Sequence, residues 1–420
     1  MSRLCLEYAP ACSGEVSDVW LPGSKSIAAR GLILSEIFRR KSGAEVILRN
    51  LPDCDDTREL ALALTDAGPD YDLGTGGTSL RFFLAYVASL PGFVGRIDCS
   101  EALRRRPVGD LVAALRSAGA EIAGVNGDDC PPFNVTGRSL SGQGVTVGMN
   151  VSSQYVSALM MASLLWSAPF ECSVYEGVSR PYVAMTRRMI TEFEEMCGLT
   201  LISDYYIEGD WSAASYFYEL ALLLPGRKIR LHGLRPFGGS LQGDAACEAL
   251  FVRLGVTTLW KGGVAEISAD GHVADQLNEE GVQVDFNLSD TPDLAPALAV
   301  GCALSGIGFR FTGVGHLRHK ESDRLATLSL ELSRLGFCLE EGPDSLAWDG
   351  RVNQSVSRGG DVKRFSSHGD HRIAMALAAG VGKLGRIEIE DAGAINKSFP
   401  DFALQLRNCG VCAEEAGETA

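Results

Sequence analysis

A helix-like apolar period that stops at a glycine recurs along this chain. It reads ELALALTDAG to Gly68, LVAALRSAG to Gly119, MITEFEEMCG to Gly198, CEALFVRLG to Gly255, LSLELSRLG to Gly336 and FALQLRNCG to Gly410. Apolar residues return every three or four positions, the spacing of one buried helix stripe. The closing glycine suits a left-handed C′ position. Most copies begin near an aspartate (Asp56, Asp110, Asp244, Asp323, Asp401), a favoured N-cap, and Asp56 with Glu59 resembles a capping box. Strand-like runs such as Ala120–Ile122 and Val256–Trp260 follow several of the glycines. Six copies in 420 residues lie about 70 apart, too far for one supersecondary unit each. They fit six larger α/β units, three per domain, and 420 residues exceed what one core usually supports. No Ser/Gly linker divides the chain; Pro22-Gly23 and Glu208-Gly209 are the best breaks by turn chemistry.

Composition narrows the function classes. A net charge of −15 repels nucleic acid and anionic lipid, so neither is expected as a partner. The most apolar stretch, Tyr155 to Phe170, is too short to span a bilayer and reads as a buried helix. The first residues show no apolar core of a signal peptide. Among 12 cysteines the one close pair is Cys409 and Cys412, a lone CxxC that reads as thiols in a reducing cytoplasm. No motif has metal-ligand spacing, and neither a metal nor a cofactor is expected.

Against this acidic average, basic residues gather in short motifs. In LPGSKSIAAR, Lys25 stands on the first turn of a helix, and Ser26 and Arg30 share a face. The group suits an anion, or a capped helix with solvated cations. LGTGGTSLR places three glycines before a helix, either an ordinary turn or backbone N–H groups for a phosphate. Arg104, Arg105 and Arg106 precede Pro107, which suits N1 of the next helix and would set Arg106 at its start. In VSSQYVSALM, Ser152 or Ser153 can cap a helix, or with Gln154 offer neutral donors to a ligand. HLRHKESDRL puts Lys320 and Arg324 on one face with Glu321 between them, an ion-pair partner or a proton-transfer group. GDHRIAMAL sets His371 between Asp370 and Arg372 at a helix start, and NKSFPDF supplies Lys397.

In this order the motifs resemble the EPSP synthase family of enolpyruvyl transferases. LPGSKS, the GGT turn with Arg81 beyond it, RRPVGDLVAAL, SSQYVSALMMA, SRPY, EGDWSAASYF, LQGD, TPDLAPALA, HKESDRL, GDHRIAMALA and NKSFPDF carry the likeness from about residue 21 to 403. The sister family that acts on UDP-N-acetylglucosamine uses a reactive loop cysteine, and residues 101–107 contain none. The resemblance implies an α/β fold: a two-domain inside-out barrel of six βαβαββ-type units with helices packed inward. It implies domains at 21–208 and at 1–20 plus 209–420, with the site in the cleft between them. It implies transfer of the enolpyruvyl group of phosphoenolpyruvate to the 5-hydroxyl of shikimate 3-phosphate in aromatic amino-acid biosynthesis.

Carried over residue by residue, the resemblance assigns shikimate 3-phosphate to Lys25, Ser26, Arg30, Ser152, Ser153, Ser179, Tyr182, Asp293, His316 and Lys320. It assigns phosphoenolpyruvate to Lys25, Gly77, Arg106, Gln154, Arg324, Arg372 and Lys397. Asp293, Glu321 and Lys25 are the acid/base candidates: Asp293 near the 5-hydroxyl, and Glu321, with Lys25 sharing the work, at the methylene carbon. His371 orients its neighbours. A monomeric, cytoplasmic enzyme without cofactor is expected. The chain departs from the family at Thr75 and Gly76 beside the glycine turn, at Ala28 and Ala29, and at His316. A histidine there would make the shikimate-phosphate site pH-sensitive. The segment from Gly198 to Glu208 is short, as if one unit had lost a hairpin.

Overall fold

The computed structural model describes residues 2–9, 16–66, 68–127, 129–145, 152–171, 177–355 and 362–416. The chain forms two compact units, residues 1–22 with 209–420, and residues 23–208.

The first unit is built from three copies of one motif. The clearest runs strand Gln283–Asn287, helix Ala295–Ser305, strand Gly308–Thr312, helix Arg324–Ser333, then strands Glu340–Glu341 and Ser345–Trp348. The first two strands pair in parallel across the helix, and the last two close the sheet antiparallel. The same βαβαββ order holds for Val16–Trp20, helix Trp211–Leu223, Lys228–His232, helix Cys247–Val252, Val256–Lys261 and Val264–Ala269. The third copy runs from Lys363–Ser366 through helix His371–Ala379, Arg386–Glu390 and helix Phe402–Asn408 to Val411–Ala416. Its sixth element is the N-terminal strand Arg3–Tyr8, inserted between Arg386–Glu390 and Val411–Ala416.

The three first helices explain the inward packing. All of Trp211–Leu223, all of His371–Ala379 and Ala295–Leu304 are buried, and the three pack against one another. A helix apolar all round has to be enclosed, and here each packs against a strand of its own sheet as well as the other two helices. Close approach is helped by Gly301, where a Cβ would sit 3.4 Å from the Glu219 Cγ.

The second unit holds a fourth copy: Asp70–Asp72, helix Gly77–Ala88, Val94–Asp98, helix Gly109–Ser117, Glu121–Gly124 and Phe133–Thr136. Elsewhere in this unit Glu45–Arg49 pairs in parallel with Ile202–Tyr206. The six-unit expectation thus meets five sheets among the described residues. Helix Arg180–Leu199 runs straight into strand Ile202–Tyr206, with one strand before Trp211, as the short 198–208 segment implied. Helix Asp55–Thr65 reaches strand Asp70–Asp72 just as directly, an abbreviation the sequence reading missed.

Several local expectations are corrected. Gly119, Gly255, Gly336 and Gly410 have positive φ, but Gly198 lies inside its helix, and the helix before Gly68 ends at an extended Asp66. Asp323 caps its helix by accepting from Ala326 N at 3.1 Å. Asp56 caps nothing: Cys54 is the N-cap, and Asp56 is buried in an ion pair. Pro107 is not N1; Val108 occupies the N-cap position of helix Gly109–Ser117 without a side-chain cap, and Arg106 sits in the link after the short helix Glu101–Arg104.

Candidate active site

In three of the four complete copies, the parallel strands lead into helix starts that bear the chemistry. Ligand sites of α/β sheets commonly lie at such strand ends.

Within residues 23–208, three groups form. At the start of helix Lys25–Ser42, Lys25 Nζ lies 2.8 Å from Asp56 Oδ2. One turn on, Arg30 is buried, and its guanidinium is tied by neutral acceptors. It donates to Thr186 Oγ1 (2.7 Å), the Ser26 carbonyl (2.8 Å), Ser157 Oγ (3.1 Å) and the Tyr182 carbonyl (3.2 Å). The rings of Phe82 and Tyr182 lie 5.1 and 5.9 Å from it. Burial brings Arg30 down to about 10, which leaves it charged at neutral pH. A buried cation met by no carboxylate among the described residues favours an anionic ligand. The third group surrounds Gly77, the first residue of helix Gly77–Ala88. A Cβ there would meet Arg81 Nη1 at 2.8 Å and Arg106 Nη1 at 3.0 Å. Arg81, which the sequence reading left without a role, donates to the carbonyls of Gly77 and Pro107, both at 2.8 Å. Ser152 caps helix Ser153–Ala162 by accepting from Gln154 N at 3.3 Å. Ser179 holds a left-handed backbone (φ 61°) before helix Arg180–Leu199, and Pro181 follows in its first turn.

Within residues 1–22 and 209–420, one charged array gathers six of the assigned site residues, Asp293, Lys320, Glu321, Arg324, Arg372 and Lys397. Arg324, 1% exposed, begins its helix and donates to three carboxylates. Nε meets Asp370 Oδ2 at 2.8 Å, Nη1 meets Asp293 Oδ1 at 2.9 Å, and Nη2 meets Glu321 Oε2 at 2.9 Å. Arg372 donates to the other oxygen of Asp293 at 2.7 Å. Lys397 Nζ lies 3.1 Å from Glu321 Oε1. Asp370 also caps helix His371–Ala379, accepting from Arg372 N at 2.9 Å. His371 is buried behind it, with Nδ1 3.9 Å from Asp370.

Burial alone would raise the Asp293 carboxyl, but Arg372, Lys320 and Arg324 outweigh it and hold the group well below the usual carboxylate range. Arg324 is shifted the other way: Asp370, Glu321 and Asp293 overcome burial and raise it. Four cations (Lys320, Arg324, Arg372, Lys397) face three carboxylates (Asp293, Glu321, Asp370), leaving one positive charge. His316 adds none. Burial and Lys320 push its imidazole down to about 4, which corrects the expectation of a site titrating between pH 5 and 8.

Sequence reasoning missed Thr186 and Ser157, which hold Arg30 from 156 and 127 residues away. It also gave Asp56 a capping role and gave Asp370 none. Gly76, a departure from the family, keeps an ordinary negative φ; a Cβ there would press on Ser79 at 3.0 Å.

Residues 65–406 match the family model described as EPSP synthase (3-phosphoshikimate 1-carboxyvinyltransferase). The chain is 37% identical to a 3-phosphoshikimate 1-carboxyvinyltransferase of Bacteroides fragilis, over 94% of this chain and 95% of that one. It is 33% identical to the enzyme of that name from Methanopyrus kandleri, over 98% and 99%. Among solved structures, an EPSP synthase from Acinetobacter baumannii superposes with a TM-score of 0.67 at 20% identity, covering 99% of this chain and all of that one, a likeness of fold. With the matching family model and these relatives spanning nearly its whole length, the chain belongs to the EPSP synthase family.

Proposed function

We propose that this protein transfers the carboxyvinyl group of phosphoenolpyruvate to the 5-hydroxyl of shikimate 3-phosphate, and that the residue sets of both units serve that one reaction. The observation that carries this reading is the array around Arg324, in which Asp293 and Glu321 are each shared between two cations. The substrates bring two phosphates and two carboxylates. The carboxylate of phosphoenolpyruvate can replace Asp293 and Glu321 on Arg324 and Arg372, a bidentate exchange that suits guanidinium. Each released carboxylate then loses the cations that held it and becomes a stronger base. Substrate binding thereby switches on the acid/base groups.

The division of labour follows. Arg324 and Arg372 hold the carboxylate of phosphoenolpyruvate, and Lys25, Arg106, Gln154 and Lys397 hold its phosphate beside the Gly77 backbone. Ser26, Arg30, Ser152, Ser153, Ser179 and Tyr182 hold shikimate 3-phosphate, with His316 as a neutral donor or acceptor, and Lys320 and Asp293 at its 5-hydroxyl. A proton passes to the methylene carbon through Glu321, with Lys25 sharing that work. The 5-hydroxyl oxygen bonds to the central carbon while Asp293 takes its proton. The tetrahedral adduct then expels phosphate as a methyl proton returns to the same set. The reading includes a monomer acting in a reducing cytoplasm, which the free thiols among the described cysteines support.

The test is phosphate release with both substrates, each single omission as control, in the parent and in Glu321→Gln. Removing the transferable proton should lower kcat by about 10²- to 10⁴-fold and suppress solvent-deuterium incorporation at the methylene carbon of the product. Full turnover with unchanged incorporation would remove Glu321 from the mechanism. Release with UDP-N-acetylglucosamine in place of shikimate 3-phosphate would overturn the substrate assignment.

A further inference from the structure

We propose that Glu331 and His368 are positioning residues for this transfer: together they hold the loop from which Asp370 reaches Arg324, and so set the guanidinium that meets the carboxylate of phosphoenolpyruvate. The inference rests on Arg324 holding that carboxylate, as described above. In that exchange Asp293 and Glu321 give way on Arg324, and Asp370 is the carboxylate that stays.

Asp370 is buried and both of its oxygens are engaged. Oδ2 accepts from Arg324 Nε at 2.8 Å and from the Ser322 hydroxyl at 3.3 Å. Oδ1 accepts from Arg372 N at 2.9 Å and from Arg324 Nη2 at 3.3 Å. Asp370 ends the loop between strand Lys363–Ser366 and helix His371–Ala379. Ser367 ties that loop to the sheet: its hydroxyl donates to the Asp391 carbonyl at 2.9 Å and accepts from Gly369 N at 3.1 Å. Asp370 N donates to the Ser367 carbonyl at 2.9 Å.

Glu331 ties the same loop to helix Arg324–Ser333. It follows Arg324 by two turns, so it lies on the same face, about 10 Å further along the axis. Glu331 is 0% exposed, and both of its oxygens are matched. Oε1 meets His368 Nε2 at 2.7 Å. Oε2 accepts from Ser366 N at 3.2 Å and lies 3.2 Å from Arg334 Nε. One helix face therefore grips the loop twice, through Arg324 at Asp370 and through Glu331 at Ser366 and His368. His368 holds a left-handed backbone (φ 52°), a conformation sparsely populated outside glycine and kept where the surroundings fix it. Glu331 and His368 are directed at each other, and their path to the reaction runs through Asp370.

The experiment measures kcat, KM for each substrate and the urea midpoint at one pH in the parent, His368→Asn, Glu331→Ala and Glu331→Gln. Asparagine tolerates the left-handed backbone but is too short to span to Glu331. His368→Asn should raise KM for phosphoenolpyruvate by about tenfold, the size of one weakened hydrogen bond. A loss confined to binding leaves the chemical step in place, so kcat and KM for shikimate 3-phosphate should stay within about twofold. Glu331→Ala should raise KM for phosphoenolpyruvate at least as far. Glu331→Gln can still accept from Ser366 N and donate to an imidazole nitrogen, and should recover most of that loss. A contact that serves the fold alone would lower the urea midpoint and the active fraction, read as kcat, and leave both KM values unmoved; that result overturns the proposal. Equal rises in KM for both substrates would overturn it as well. Should Glu331→Ala fail to fold, His368→Asn decides alone: a raised KM for phosphoenolpyruvate supports the proposal and an unmoved one overturns it. Absence of turnover by the parent would instead defeat the reaction assignment, and this inference with it.

Discussion

Glu219 stands in the middle of helix Trp211–Leu223, among residues that are all buried. It is 0% exposed, and neither carboxyl oxygen has a hydrogen-bond partner among the described residues. Burial alone raises its carboxyl well above the ordinary value. The folded protein therefore holds this group protonated where the unfolded chain would release the proton. The sign follows: the penalty is absent below the unfolded value of about 4.3. As pH rises from there toward the raised folded value, stability falls by up to about 1.4 kcal/mol per pH unit. Even the neutral acid is an unmatched polar group, which costs about 1–3 kcal/mol. Glu219→Leu removes both terms and keeps most of the volume. At about 3 kcal/mol per molar urea, the neutral-acid term alone, about 2 kcal/mol, moves the unfolding midpoint up by about 0.7 M, and the pH-dependent term adds to this as pH rises. Urea unfolding followed by circular dichroism at pH 5 and pH 8 makes the measurement. The leucine advantage should grow between the two values, and Glu219→Gln should gain on the parent over the same interval. A leucine variant no more stable than the parent at pH 8 would refute the reasoning.

Two further outcomes are expected. Gly77→Ala would bring a methyl group to 2.8 Å from Arg81 Nη1 and 3.0 Å from Arg106 Nη1. The arginines must shift, so KM for phosphoenolpyruvate should rise by about tenfold or more, with the urea midpoint nearly unchanged. His316, already neutral by burial and Lys320, should add nothing to the pH profile of shikimate 3-phosphate affinity between pH 5 and 8. His316→Asn should leave that profile's shape unaltered in a calorimetric titration.

What the sequence disclosed divides along physical lines. Glycine termini and helix caps are local, so Gly119, Gly255, Gly336 and Gly410 and the caps at Ser152 and Asp323 could be read from neighbouring residues. Gly198 failed because the chain beyond it continues the helix as far as Leu199, and one-residue chemistry cannot show where an exposed helix chooses to stop. The motifs found the charged residues but not their pairing. That Glu321 shares Arg324 with Asp293 and Asp370 depends on long-range packing: one parallel strand pair leads to residues 293 and 324, and residue 370 follows a strand of another sheet. Asp56 was misassigned for the same reason: an acid near a helix start resembles a cap until a lysine from another helix is seen beside it. Thr186 and Ser157 carry no sequence signal, since a hydroxyl within a buried helix usually bonds back to its own turn.

The strand Arg3–Tyr8 lies between Arg386–Glu390 and Val411–Ala416, in register from Arg3 opposite Ala416 to Tyr8 opposite Val411. This sets an order on synthesis. At about 5–20 residues per second, the ribosome needs roughly 20–80 s after making this strand to deliver both its partners. The contiguous stretch from 23 to 208 can meanwhile complete its own contacts. Through that interval Leu4 and Leu6, each at most 2% exposed in the finished sheet, have no sheet to enter. The early segment thus keeps its apolar face unburied until both neighbours are made. Joining the two termini and reopening the chain elsewhere would remove the wait, because the strand would then emerge directly after its neighbour.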